Sequence, residues 1–575
     1  MAWSADTDTT GAPGSGILDF IIVGAGAAGC VLAARLSEDP GNRVLLIEAG
    51  PDLPPGSEPD DVRNPFPGAL GGARFMWPGL TAEVFAATPD RPAVRRAFLQ
   101  GKVVGGSSTI NGMMAQRGLP ADFDQWEASG ASGWGWQGVL PYFNALETDL
   151  DFKGPLHGST GPIPIRRERR EQWPPFTAAV TAAMLARGHA EGDDFNAEFG
   201  DGVFPGPLSN LPDTRVSASM GYLDRDTRRR RNLTLLADTP VTGLLSERGS
   251  IIGVTVGTPG DTRQFRARQT IVCAGAIHSP VLLMRSGIGD AADLQRAGIP
   301  VVAHVPGVGR NLHNHLMIHV ATHLPRRAVQ SSAAASWAFT VLRYSSGLAG
   351  CPPGDMQIFP INRTAWHALG RRIGAIGLCL YKPFATGEVR LNGASPSATP
   401  VIRFNMLADP RDTERMVDGL GRVMELFADP GVAATRNEVF LPDKALAGRM
   451  ATPTLFNRLR TALISGVFDS SAGVRRRLLG DSVVNPAALA ADRDRLLAIV
   501  RAVTAHVHHV CGTCRIGASD DPLAVVDSRC RVRGVDGLRV VDASVMPSNV
   551  SANTHLAVMM IGEKAASMIL EDRPT

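Results

Sequence analysis

The sequence predicts an α/β fold that begins with a dinucleotide-binding unit, and three observations support this prediction. The first is a short apolar run, Asp19–Val23, that leads directly into a glycine-rich turn. The second is the turn itself, residues 24–29 (GAGAAG), which opens a helical pattern over Ala27–Leu36. The third is a second β-like run, Arg43–Ile47, that ends at the acidic residue Glu48. Strand, glycine turn, helix, strand and acid in this order form the Rossmann-type motif.

Each position of this turn has a physical role. Gly24 permits the sharp turn, Gly26 lets the backbone approach a pyrophosphate, and Gly29 lets the helix pack closely on the sheet. The helix N-terminus offers free N–H groups to phosphates, and Glu48 can accept hydrogen bonds from ribose hydroxyls. A βα turn that binds nothing is the alternative, which the flanking strands and the placed acid disfavour. Cofactor contacts are therefore expected at Gly24, Gly26, Ala27, Ala28, Gly29, Glu48 and Ala49. The motif alone does not distinguish FAD from NAD.

Length and composition limit the function classes. At roughly 150 residues per domain, 575 residues suggest about four units, and two or three interleaved domains fit equally well. The chain is 44% hydrophobic and 20% charged, which is typical of a globular protein. Its 58 Lys and Arg against 55 Asp and Glu leave a net charge of +3, so charge does not indicate nucleic-acid binding. The basic clusters 166–170 and 228–231 are interleaved or flanked by acids and read as solvated faces.

The termini and cysteines predict a cytoplasmic protein. No apolar run reaches the ~18 residues that a membrane span requires. The first sixteen residues are polar and acidic and do not resemble a secretory signal, so residues 1–13 are predicted to be a flexible tail. The seven cysteines are sparse and odd in number, which favours free thiols in a reducing compartment.

A second glycine motif lies in residues 101–118, which read GKVVGGSSTINGMMAQRG. A polar glycine–serine cluster is usually a surface loop. Here the apolar pairs 103–104 and 113–114 flank it, which indicates a buried loop whose N–H groups need partners. A cofactor would supply those partners, at Gly105, Gly106, Ser107, Asn111 and Gly112.

Together with three further stretches, these motifs resemble the glucose–methanol–choline (GMC) family of FAD-dependent oxidoreductases. The stretches are Ile271–Gly289, Pro306–Leu312 (PGVGRNL) and Gly534–Lys564. The resemblance runs from residue 18 to residue 570, almost the whole chain. Within the family, three segments are most similar to bacterial 5-hydroxymethylfurfural oxidase-like enzymes: Gln116–Phe143, Leu156–Ile165 and Phe404–Asp412.

Three interpretations compete for the cluster in which His506, His508 and His509 precede residues 511–514 (CGTC). A redox disulfide would need a thioredoxin-like context, which the end of a long chain does not offer. A zinc site would need a second ligand pair at a recognisable spacing. The third is a catalytic base, and the family resemblance favours it at His509. His506 and His508 have no such match and are expected to pack or line the site, and no metal is expected.

The resemblance also implies a His–Asn catalytic pair, because the family's second catalytic position corresponds to Asn553. Alcohol oxidation removes a hydroxyl proton and a hydride from one carbon, and a neutral imidazole with a pKa near neutrality suits the proton. The amide of Asn553 can donate to the developing alkoxide without competing for the proton. The hydride would pass to flavin N5.

Further cofactor contacts follow from the resemblance alone. Asp542 and Ala543 end the predicted strand Leu538–Val541, and the helix that begins near Asn553 extends to Glu571. Some relatives bind FAD covalently through a histidine, and the matching position here is Ile110, so non-covalent FAD is predicted. The remaining contacts implied are Val241, Ala274, Thr554 and His555, with Asn553 also beside the flavin.

The motifs divide the chain into a discontinuous FAD-binding domain and an interleaved α+β substrate domain. The FAD-binding pieces are 14–150, 215–315 and 505–575, and the substrate pieces are 151–214 and 316–504. Strands at Met356–Phe359, Ala375–Lys382 and Gly387–Leu391 are predicted to belong to an antiparallel sheet that roofs the site. Helical spacing is predicted for Arg411–Phe427.

The predicted function is oxidation of primary aryl or furanic alcohols, with O2 as electron acceptor and H2O2 as product. A dehydrogenase that uses a quinone is the main alternative, because no motif encodes oxygen reactivity. A hydroxynitrile lyase and a fatty-acid photodecarboxylase share the fold, and the pair of His509 and Asn553 disfavours the second. A redox-regulated binding protein using Cys511 and Cys514 is the alternative from another class.

Overall fold

The computed structural model describes residues 16–572 except 69–72, 88–91, 259–260, 332–335 and 396–397. The predicted tail, residues 1–13, lies outside the described residues. The α-helices of eight or more residues are Ala27–Leu36, Pro120–Ala128, Trp136–Leu146, Pro175–Ala186, Gly275–Arg285, Pro410–Ala428, Lys444–Ala451, Leu455–Ser470, Ala472–Leu479, Arg493–Val503 and Thr554–Glu571. Shorter α-helices are Asp60–Arg63, Ala218–Tyr222, Arg225–Arg228, Ala291–Arg296, Pro430–Ala433 and Pro486–Ala490.

A seven-stranded sheet carries the first glycine motif. Its central strand, Leu18–Val23, pairs in parallel with Val44–Ile47 on one side and with Asp261–Val272 on the other. Almost every residue of the apolar strands Leu18–Val23 and Val44–Ile47 is buried, as expected for a parallel sheet covered on both faces. The order across the main path is Leu233–Leu236, Val44–Ile47, Leu18–Val23, Asp261–Val272, Ser250–Thr258 and Val241–Glu247, and Leu538–Val540 pairs in parallel with Asp261–Val272.

An eight-stranded antiparallel sheet forms the second layer that the sequence predicts. The strand Leu316–His323 pairs with Ile373–Leu380, which pairs in turn with Met356–Ile361. The order is Val483–Val484, Val439–Phe440, Leu316–His323, Ile373–Leu380, Met356–Ile361, Thr340–Tyr344 and Gly202–Pro205, and Ala505–His506 pairs with Leu316–His323. A Rossmann-type unit with an antiparallel sheet above it confirms the predicted fold class.

One predicted roof strand belongs to another sheet. The strand predicted at Gly387–Leu391 is Glu388–Arg390, and it pairs with Val401–Arg403 in a four-stranded sheet completed by Thr81–Phe85 and Val94–Ala97. The physical reason is the cross-strand pairing of Glu388 with Arg403, whose Nη1 lies 3.0 Å from the carboxylate. The prediction that this segment joins the roof was therefore wrong. Two-stranded sheets join Ile288–Gly289 to Ala303–His304 and Glu147–Asp149 to Ile163–Ile165.

Other predicted elements lie close to where the sequence puts them. The helix Ala27–Leu36 has the predicted bounds, and the C-terminal helix covers Thr554–Glu571. The helix predicted at Arg411–Phe427 covers Pro410–Ala428, with Asp409 capping its N-terminus. Among the helices of the described chain, none has both the length and the apolar character that crossing a bilayer demands.

Candidate active site

A cavity of about 500 Å³ opens where four parallel strands end. Residues that follow these strands line it, including Gly24, Glu48, Ala274 and Asp542. The carboxyl edge of a parallel sheet is where open α/β folds bind ligands, because helix N-termini and loops converge there. This position makes the cavity the candidate active site.

The first glycine motif shapes one wall of the cavity. Gly24, Gly26, Ala27 and Ala28 line it, and the helix that starts at Ala27 carries no side-chain cap at its N-terminus. Its first N–H groups therefore remain available for an anionic group. Gly29 is not on the cavity wall: an added Cβ there would lie 2.0 Å from the carbonyl oxygen of Gly24. Gly29 thus sets the close approach of helix and turn.

Glu48 holds the turn together. Its Oε2 accepts a hydrogen bond from the Ala25 N–H and its Oε1 accepts one from the Gly50 N–H, both at 2.9 Å. Burial raises the pKa of this carboxyl, while the backbone donors oppose that rise. Glu48 and Ala49 both line the cavity. A carboxylate has lone pairs beyond those two bonds, so it can still accept from ribose hydroxyls.

The second glycine motif packs directly on the first. The Gly105 N–H donates to the carbonyl of Ala25 at 2.7 Å. Gly106 has a φ of +56°, and an added Cβ would lie 2.8 Å from the Gly26 Cα. Any larger residue at position 106 would therefore push the two loops apart. Gly105 sits behind the wall, and the predicted residues that line the cavity are Gly106, Ser107, Asn111 and Gly112.

The contacts implied by the family resemblance also gather at this cavity. Asp542 is buried, and its carboxylate accepts from the Gly275 N–H at 2.8 Å and from the Ser544 N–H at 2.7 Å. It orders two turns at the ends of neighbouring strands. The lining includes Val241, Ala274, Asp542, Ala543, Asn553, Thr554 and His555.

Unpartnered polar atoms in the cavity wall test whether a cofactor fits. The buried Gln100 Oε1 and His278 Nδ1 line the cavity and have no hydrogen-bond partner within the described chain. The His278 ring stacks on Trp77 with centroids 4.3 Å apart, and burial lowers its pKa to about 4. The free helix N-terminus matches the phosphates of a dinucleotide, and Glu48 matches its ribose. The neutral polar groups beside an aromatic surface match its ring portions. The donor set therefore fits FAD.

His509 and Asn553 meet in this cavity. The Asn553 Nδ2 lies 3.0 Å from the His509 Nε2, and the Tyr381 hydroxyl donates to the Asn553 Oδ1 at 3.0 Å. Because an amide nitrogen only donates, the His509 Nε2 is the acceptor and holds a lone pair. A neutral His509 then carries its proton on Nδ1, which lies 2.9 Å from the His315 Nδ1. The tautomer follows from this network.

Sequence reasoning missed His315, Asn314 and Tyr381, which the two central roof strands bring to the site. Leu316 pairs with Leu380, so the residues just outside that pair, His315 and Tyr381, lie with ring centroids 4.5 Å apart. The Asn314 Oδ1 accepts from the backbone N–H groups of both His315 and His509. The signal was available, because His315 lies three residues beyond the family stretch that ends at Leu312. Tyr381 falls inside a predicted strand.

Burial controls the protonation of His509. Removal from water, together with the neighbouring His508, lowers its pKa to about 3, and burial lowers the pKa of His315 well below its usual value. This differs from the base with a pKa near neutrality that the sequence predicts. The structure instead keeps His509 neutral throughout the ordinary working range, with the lone pair on Nε2 directed at the Asn553 amide.

The cysteines beside His509 are not a redox pair. Cys511 and Cys514 are free and buried, and burial raises the pKa of the Cys511 thiol to about 12. A thiol held protonated in this way is a poor nucleophile and a poor metal ligand. His508 lines the cavity and accepts at Nδ1 from the Leu99 N–H, whereas His506 packs between Phe98 and Phe404.

One group of described residues has metal-ligating geometry, at Glu147, Asp149 and His157, and none of the three lines the cavity. His157 Nε2 contacts Asp194 at 2.6 Å, and two arginines also enter the cluster. Three cationic side chains thus balance three carboxylates without a metal ion: Arg117, Arg167 and His157 against Glu147, Asp149 and Asp194. We therefore interpret the cluster as a structural ion-pair network.

The fold and the site define a dinucleotide-dependent oxidoreductase with a histidine on the wall of its reaction cavity. Comparison with known proteins agrees. The N-terminal and C-terminal family models of the GMC oxidoreductases match residues 18–317 and 383–562. The chain therefore belongs to the GMC oxidoreductase family. It is an FAD-dependent enzyme of the class that acts on CH–OH groups.

Individual relatives extend over the whole chain. A 5-(hydroxymethyl)furfural oxidase of Methylovorus sp. (strain MP688) is 40% identical over 564 residues, covering 96% of this chain and 99% of the relative. An oxygen-dependent choline dehydrogenase of Vibrio vulnificus (strain YJ016) is 31% identical and covers 97% and 95% of the two chains. The crystal structure of pyridoxine 4-oxidase from Mesorbium loti superposes with a TM-score of 0.78 at 28% identity, covering 97% and 100%.

Proposed function

We propose that the chain oxidises primary aryl or furanic alcohols to aldehydes, with His509 as the general base. The observation that carries the proposal is the 3.0 Å contact between the His509 Nε2 and the Asn553 Nδ2 on the cavity wall. One lone pair and one N–H therefore face each other at the cavity wall. A hydroxyl group that enters there donates its proton to Nε2 while its oxygen accepts from the amide.

The two side chains divide the work on the substrate. His509 removes the hydroxyl proton, and the amide of Asn553 stabilises negative charge that develops on the oxygen. The Tyr381 hydroxyl keeps the amide oriented, because it donates to Oδ1 and so directs Nδ2 towards His509. His315 accepts the Nδ1 proton of His509 and so keeps the lone pair on Nε2. Tyr381 and His315 act as positioning residues.

When bound in the cavity, FAD would supply the redox chemistry as the hydride acceptor, with O2 as the proposed final electron acceptor and H2O2 as product. The residues proposed to hold it are those of the two glycine loops, Glu48, and the turns at Asp542 and Thr554. We propose that it binds non-covalently. The support is Ile110, a buried aliphatic side chain packed with Val62, Phe75 and Val103, which offers no nucleophile.

A buried cation adds to the electrostatics of the site. Arg215 is fully buried, and its guanidinium donates to the backbone carbonyls of Val62 and Asn111 beneath the second glycine loop. Burial lowers its pKa to about 9, so it stays protonated at neutral pH. Together with the N-terminus of the helix Thr554–Glu571, it favours negative charge in the cavity.

The substrate class rests on similarity. The Methylovorus relative is named for 5-(hydroxymethyl)furfural, a furanic primary alcohol, and it covers 96% of this chain at 40% identity. We also propose, from the same similarity, the predicted division of the chain. Its FAD-binding pieces are 14–150, 215–315 and 505–575, and its substrate pieces are 151–214 and 316–504. The alcohol would bind between the glycine loops and the roof sheet.

An anaerobic titration tests the proposal. The flavin-loaded protein receives a benzylic or furanic alcohol while the visible flavin absorbance is followed, and air is admitted at the end. Bleaching followed by rapid recovery with H2O2 formation supports the oxidase, whereas bleaching with slow recovery in air indicates a dehydrogenase that uses a quinone. No bleaching by any alcohol in the panel would contradict the proposed reaction. It would turn attention to the lyase and photodecarboxylase members of this fold.

A further inference from the structure

The helix Leu455–Ser470 has its apolar face turned outward. Leu455, Phe456 and Leu463 are each 72% exposed, and Leu459 is 65% exposed. The opposite face, which packs on the protein, carries the polar residues Asn457, Thr461 and Ser465 together with Phe468. A helix on the surface of a globular protein normally shows the reverse arrangement. The burial of polar side chains beneath exposed leucines indicates that something covers this face.

The following helix, Ala472–Leu479, extends the exposed apolar surface. Its Val474 and Leu478 are also exposed. Fourteen large apolar side chains are exposed in the described chain, and seven of them lie within residues 455–478. Scattered exposed leucines need no explanation, but such a concentration marks an interaction site. We call this surface the 455–478 face. It consists of Leu455, Phe456, Leu459, Leu463, Val467, Val474 and Leu478.

Arginines border the 455–478 face. At 3.6 residues per turn, Arg458 and Arg460 fall on opposite borders of the apolar stripe of the first helix. The second helix adds Arg476 and Arg477, both exposed. The single acid of this stretch, Asp469, already contacts Arg372 at 2.5 Å. Within residues 455–478 the exposed charge is therefore positive, although the Arg476 Nε lies 3.8 Å from the Glu438 carboxylate and the whole chain carries only +3.

We propose that the 455–478 face binds the surface of a membrane that contains anionic lipids. Leucine and phenylalanine on one face with arginines at its borders are the pattern of helices that lie in a bilayer interface. The arginine stems can follow the apolar surface while their guanidinium groups reach lipid phosphates. A second copy of the chain fits less well, because a two-fold contact would bring like charges together. No residue of the face lines the catalytic cavity.

Co-sedimentation with lipid vesicles tests the proposal on the FAD-loaded protein. Vesicles of phosphatidylcholine with phosphatidylglycerol should sediment the protein, and pure phosphatidylcholine should sediment much less. Each arginine near an anionic surface contributes about fivefold in affinity, so the pair R458Q/R460Q should weaken binding by about 25-fold. The pair L459S/L463S should weaken it by about 100-fold or more, since each leucine loses its apolar burial.

A matched control uses exposed leucines elsewhere. The pair L211S/L523S changes two side chains that are 41% and 44% exposed and lie outside the face, and it should bind vesicles as the wild type does. All variants should keep their flavin and their turnover, because none of the substituted residues lines the cavity.

Two results would overturn the proposal. One is wild-type protein that stays in the supernatant with anionic vesicles. The other is a concentration-dependent dimer, seen by sedimentation equilibrium, that L459S/L463S abolishes, which would make a second copy the occupant.

Discussion

Replacing His315 with phenylalanine tests the network behind the catalytic histidine. The change keeps an aromatic ring next to Tyr381, where the present centroid distance is 4.5 Å, but removes both ring nitrogens. The Nδ1–H of His509 then loses its acceptor, which now lies at 2.9 Å. Because the position of His315 is fully buried, water does not replace that partner.

The size of the effect follows from the cost of a buried unsatisfied donor. That cost is about 1–3 kcal/mol and falls only on the tautomer whose lone pair is on Nε2. The other tautomer escapes it, because its Nε2–H can donate to the Asn553 oxygen after a flip of the amide. The population of the productive tautomer, and with it the rate of flavin reduction, should fall by about 5- to 150-fold.

Stopped-flow measurement of anaerobic flavin reduction at saturating alcohol gives the rate directly. The matched control is His506→Phe, a buried histidine packed between Phe98 and Phe404, which should reduce at the wild-type rate. In a His509→Ala background, His315→Phe should cause no further loss, because the interaction it removes is already gone. A His315→Phe enzyme that reduces as fast as the wild type would refute the positioning role.

Three further predictions follow from the same structure. Burial lowers the pKa of His509 to about 3, so kcat/KM should stay level as pH falls from 7 towards 5, and an acid limb near the ordinary histidine pKa would contradict this. Burial opposes the protonation of His157, but its hydrogen bonds to three carboxylates raise its pKa to about 10. Its contribution to stability is therefore full below its unfolded pKa of ~6.5 and is lost as pH rises through 10; His157→Gln should lower Tm at neutral pH and flatten its decline at basic pH. Gly106→Ala, whose Cβ would meet Gly26 at 2.8 Å, should lose FAD on gel filtration, whereas Gly243→Ala, with open space around it, should retain FAD in full.

The sequence predicted the fold well where one physical requirement dominates each position. The Rossmann-type unit can be recognised from the sequence because Gly24, Gly29 and Glu48 each meet a separate structural requirement. A sequence without this fold would rarely meet all three by chance. The same holds for the helix Ala27–Leu36, whose small residues allow close packing on the sheet. The distinction between FAD and NAD did not follow from that motif and needed the family resemblance.

What the sequence did not reveal depends on strand register. His315 and Tyr381 are 66 residues apart and become neighbours only because Leu316 pairs with Leu380. The strand near Val389 was assigned to the wrong sheet for the same reason, since alternation predicts a strand but not its partner. The low pKa of His509 also follows from tertiary burial, which no local pattern encodes.

The central claim is that His509 is the base in an alcohol oxidation, and His509→Ala tests it most directly. Anaerobic flavin reduction by a benzylic or furanic alcohol should slow by about 10²- to 10⁴-fold, while the FAD content stays that of the wild type. His508→Ala, which removes the adjacent imidazole, serves as the comparison and should keep most of the reduction rate. Reduction by His509→Ala near the wild-type rate, with FAD fully bound, would contradict the account.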